Sequence, residues 1–101
     1  MFPTSDFQTV VQWLRTGGAP SLAVYRAVFS IGQYVIDQLG GAKAAAFAAA
    51  APAATSKEEC ARVLEHCCEH HAAFAAGANG EAGVSWATVI AVVLKILQLL
   101  A

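Results

Sequence analysis

The densest run of reactive side chains is Glu65-His66-Cys67-Cys68-Glu69-His70-His71. On a helix, residues four apart are neighbours, so His66 meets His70 and Cys67 meets His71. Either pair offers two ligands of the kind zinc or copper takes. The two pairs point about 100° apart on a helix of 3.6 residues per turn, so one ion does not collect all four. A closed zinc site takes about four ligands, and there is no second Cys or His cluster to complete one. The rest would have to be carboxylates or come from another subunit. The competing reading places His66 and His70 on a wet face and Cys67 and His71 in a core. The sequence therefore assigns no metal, and His66, Cys67, His70 and His71 stand as the candidates if one binds.

Cys67 beside His71 has the residue types of a Cys–His dyad. A reactive thiol needs an electropositive, partly open setting and a third group to orient the base. Here Glu58, Glu59, Glu65 and Glu69 surround it instead, and acids raise a thiol pKa. Phosphate-binding loops of the GxGxxG or GxxxxGK type are absent. Gly17-Gly18 and Gly40-Gly41 read as helix stops. No catalytic residue, cofactor or small-molecule substrate is assigned, and no enzymatic activity is expected. Trp13, Tyr25, Tyr34 and Trp86 lie within apolar stretches and read as core or interface residues.

The elements that must position these residues read as helices, with no period-2 alternation of a half-buried strand. The spacing predicts helices over about 5–16, 21–39, 42–50, 56–76 and 86–101. In the first, Phe7, Val10, Val11 and Leu14 share one face, Thr4 or Ser5 caps the start, and Gly17-Gly18 ends it. In the second, Arg26, Ser30, Gln33 and Asp37 make a narrow polar stripe on an otherwise apolar helix. Residues 42–54 hold ten alanines in thirteen positions. They read as a helix to about Ala50, with a low-complexity linker as the alternative. Thr55-Ser56-Lys57-Glu58 and Ser56-Lys57-Glu58-Glu59 both fit a capping box for the fourth helix. Its apolar face is Cys60, Val63, Leu64, Cys67, His71 and Phe74. Residues 77–83 read as a loop. The last helix is apolar almost all round, with Thr88, Ala91, Lys95 and Gln98 on its one polar stripe. The fold class is all-α, a bundle of about five helices in one domain.

Composition narrows the function. Hydrophobic residues make up 57% and charged residues 13% of 101 residues, against roughly 45–50% and 25% in an average soluble domain. Six basic against seven acidic residues argue against nucleic acid as a partner. Even with 23 alanines discounted, a chain this short is expected to carry more apolar surface than it buries alone. The leading expectation is a structural protomer of a homo-oligomer or a helical assembly such as a filament, tube or shell. The second and fifth helices would meet other copies through Arg26, Asp37, Trp86, Ile90, Leu94, Leu97 and Leu100. An antiparallel meeting of two second helices would set Arg26 against Asp37 of the other copy; the alternative is a stripe that faces water. A membrane-associated protein of holin or tail-anchored type is the second reading, although 86–101 falls short of the roughly 20 residues a span needs. A helical adaptor is the third. Residues 1–6 show no secretory signal, and three cysteines make no disulfide framework. The expected location is the cytoplasm, or a particle assembled there.

Overall fold

A computed structural model describes residues 2–50, 56–71, 80–81 and 84–100. Among them are five helices: α1 (Thr4–Thr16), α2 (Leu22–Leu39), α3 (Gly41–Ala50), α4 (Lys57–Glu69) and α5 (Trp86–Leu100). A short antiparallel ladder precedes α5, pairing Gly80 with Ser85 and Glu81 with Val84. The fold is all-α.

Most ends follow local chemistry. Gly17 and Gly40 close α1 and α2 at φ 78° and 83°, and their N–H groups donate to the carbonyls of Trp13 and Ile36. Ser56 Oγ accepts the Glu59 N–H at 3.1 Å, the first half of the expected capping box. Two boundaries differ from expectation. Pro3, not Thr4 or Ser5, occupies the cap of α1, without a side-chain bond; its fixed φ and missing N–H suit a helix start. Gly41 is the first residue of α3 rather than part of a stop, so one glycine turns the chain between two helices. The alanine-rich stretch is helical over Gly41–Ala50, which settles helix against linker there.

One contiguous cluster forms the core, drawing on α1, α2, α4 and α5. Phe7, Val10, Ile31, Leu64, Val89, Val92 and Ile96 are fully buried. The predicted face of α1 is all inside, joined by Trp13. The Trp13 indole donates to the Gly18 carbonyl at 3.2 Å, tying the α1–α2 turn to the core. α1 packs on α2 and α4, while α5 packs on α2, α3 and α4. Tyr25 Oη lies 3.5 Å from the Leu100 carbonyl and the Tyr34 ring 6.5 Å from Trp86, so α2 and α5 run antiparallel.

Among the described residues no helix is long and apolar enough to cross a membrane. The 15 residues of α5 span about 22 Å, against a hydrocarbon core of about 30 Å.

Candidate functional site

The cysteine–histidine segment sits on α4 and its C-terminal edge. The amphipathic pattern of α4 turns Cys60, Leu64 and Cys67 inward, all essentially fully buried. Burial, with Cys68 adding to it, pushes the Cys67 thiol up to about 12. Burial also raises Cys60 and Cys68, the latter helped by Glu65 and Glu69. These thiols stay protonated at neutral pH, the opposite of what a nucleophile needs.

His66 and His70 do meet, as their spacing requires, with ring centroids 4.4 Å apart. Cys67 and His71 do not form the second pair. The helix expected to continue to about residue 76 breaks after Glu69, with His70 as its cap; His71 is again helical, and residues 72–76 lie outside the described residues. His71, expected in the core, is exposed. Its Nδ1 lies 3.0 Å from the Cys68 carbonyl and its ring 5.4 Å from Phe2. Phe74 lies outside the described residues. Among the described residues, no group of three or more His, Cys, Asp or Glu side chains is arranged to hold a metal ion.

Sequence reasoning missed the polar tie between α1 and α4. Arg15 grips Glu58 with Nε at 3.3 Å and Nη2 at 3.0 Å, and donates from Nη1 to Glu65 at 2.7 Å. Both acids raise the Arg15 pKa, Glu58 most. The readable signal was two acids seven residues apart on one helix face and a lone arginine in the last turn of α1. Lys57 Nζ lies 5.9 Å over the Trp13 ring, a second cation on the same seam.

The other surface of interest lies on α2 and α5. The stripe Arg26, Ser30, Gln33 and Asp37 is exposed along its whole length, and Gln33 donates to Asp37 at 2.8 Å. Beside it runs a row of exposed large apolar residues: Leu22 at 64%, Phe29 at 69% and Ile36 at 46%. Their seven-residue spacing drifts only about 20° per interval, so they share a line. α5 contributes Leu94 at 38% and Leu97 at 40%. Its stripe departs from expectation, since Ala91 is buried and Thr88 and Lys95 are half-buried. α5 is rotated so that leucines as well as Gln98 face outward. Trp86 and Ile90, expected between copies, are buried within this chain, and Leu100 is half-buried.

Of these outward side chains, Ile36, Leu94 and Leu97 border an apolar groove of about 360 Å³. Its walls are Gly32 and Ile36 of α2, Ala45 and Ala48 of α3, and Leu94 and Leu97 of α5. Glycine and alanine leave the groove open because they project too little to fill it. The chain matches no protein-family model, no curated protein and no solved structure.

Proposed function

We propose that this chain is a structural protomer that assembles with copies of itself through the α2–α5 face. One observation carries the reading. Leu22, Phe29 and Ile36 stay exposed in a row on α2, and Ile36 with Leu94 and Leu97 lines an open apolar groove, whereas the buried apolar side chains among the described residues pack into one core. Contiguous exposed apolar surface bordered by polar residues is the usual mark of an association site. A repeated self-contact closes into a dimer or ring, or stays open as a filament, tube or shell, according to its symmetry operator. The reading places the protein in a reducing compartment such as the cytoplasm, where Cys60, Cys67 and Cys68 remain thiols. Sedimentation in detergent-free buffer at micromolar concentration tests it. A mass above that of one chain is expected; a sharp monomer boundary overturns the proposal.

A further inference from the structure

The exposed charges on α2 are arranged so that the surface complements itself. Arg26 and Asp37 lie on the same polar stripe, both exposed, and neither makes an ion pair among the described residues. Gln33 holds the Asp37 carboxylate on that stripe. The point midway between Arg26 and Asp37 falls between Ile31 and Gly32, roughly 8 Å along the axis from each at 1.5 Å per residue. The groove wall formed by Gly32 and Ile36 begins at that same midpoint.

We infer that two copies meet through an antiparallel, two-fold contact of α2 against α2, with the axis at the level of Ile31–Gly32. This deepens the self-assembly reading and rests on it. In such a contact Arg26 of each copy comes level with Asp37 of the other. Two pairs of opposite charges then meet on one flank, as an isologous interface requires. The apolar row lies on the other flank. There Phe29 of each copy comes level with Tyr34 of the second, over the groove between its Gly32 and Ile36. The most exposed aromatic ring in the described structure gains a cover, and the groove gains an occupant.

Charge reversal reads this out by sedimentation equilibrium. Arg26→Asp alone places two acids opposite each other, and Asp37→Arg alone places two arginines together. Each is expected to weaken association by about tenfold, from two pairs turned from attraction to repulsion. An equimolar mixture of the two variants restores opposite charges at both positions and is expected to associate as tightly as wild type. If wild type associates and both variants associate equally well, the two-fold contact is overturned while self-assembly stands. Weakened variants that the mixture does not rescue overturn it as well. A monomeric wild type overturns both readings. Should either reversal cost helicity in far-UV circular dichroism, Ser30→Cys and Gln33→Cys supply the second measurement. The axis sets Ser30 opposite Gln33 of the second copy. Mixed oxidation is therefore expected to yield a disulfide-linked dimer faster than either variant alone, with the wild-type thiols as background. Equal rates overturn the contact.

Discussion

Tyr34 brings a hydroxyl into the interior and leaves it without a hydrogen-bond partner among the described residues. Its ring is well placed, edge-on to Phe2 at 5.2 Å and 6.5 Å from Trp86. Burial, with Cys67 nearby, raises its pKa. The ring favours the fold and the oxygen opposes it, because an unsatisfied buried polar group costs about 1–3 kcal/mol. Tyr34→Phe keeps the ring and removes the oxygen. Chemical denaturation is expected to show a gain of about 1 kcal/mol or more; a loss would mean that the hydroxyl is satisfied in solution. Cys67 gives a pH-dependent counterpart. In the unfolded chain a thiol ionises near about 8.5, whereas here burial holds it protonated to about 12. A raised folded pKa contributes stability that is full below the unfolded value and is lost as pH climbs toward the folded one. Stability therefore falls above about pH 8.5, by about 1.4 kcal/mol per pH unit for this one proton. Cys60, Cys68 and Tyr34 shift the same way, so the measurement is a difference. Cys67→Ala is expected to be less stable at neutral pH, yet shallower in its decline by one proton's worth.

At the scale of elements, single residues set the angles between helices. Gly40 joins α2 to α3 with φ 83° and ψ 151°, a region essentially reserved for glycine. Nothing lies within 4 Å of a Cβ added there, so the cost of Gly40→Ala is backbone strain rather than a clash. A loss of about 1–3 kcal/mol is expected from denaturant midpoints. Gly41→Ala, one residue on and already helical, is expected to stabilise by about 0.4–1 kcal/mol. This contrast shows how far the sequence could be read. The pair Gly40-Gly41 announced a break, but only the backbone tells which glycine turns and which begins the next helix. The face of α1 and the Ser56 cap were legible because short-range periodicity and local hydrogen bonding decide them. The rotation of α5 was not, because a helix apolar on nearly every side has no pattern to say which leucines end up outside. Nor was the break of α4 after Glu69, beyond which His71 is exposed while Cys67 is buried.

At the scale of the whole molecule, Ile96 and Leu97 are neighbours in sequence with opposite fates. Ile96 is 1% exposed and belongs to the core, whereas Leu97 is 40% exposed on the groove wall. A charge at the first position is buried without a partner, which a domain of this size cannot absorb. Ile96→Asp is therefore expected to abolish cooperative folding outright. A charge at the second can reach water in a lone chain and loses only the apolar surface it replaced. Leu97→Asp is expected to fold, with a helical spectrum like that of wild type and a stability change within about 1 kcal/mol. If the α2–α5 face meets a second copy, the same carboxylate becomes a desolvated charge in the contact, and association falls while folding persists. Circular dichroism and sedimentation on these two variants thus separate the core of the protomer from its assembly surface. A Leu97→Asp chain that is folded and still associates like wild type would place the contact elsewhere. One that unfolds like Ile96→Asp would make Leu97 a core residue, and the exposed apolar row on α2 would then have to account for assembly alone.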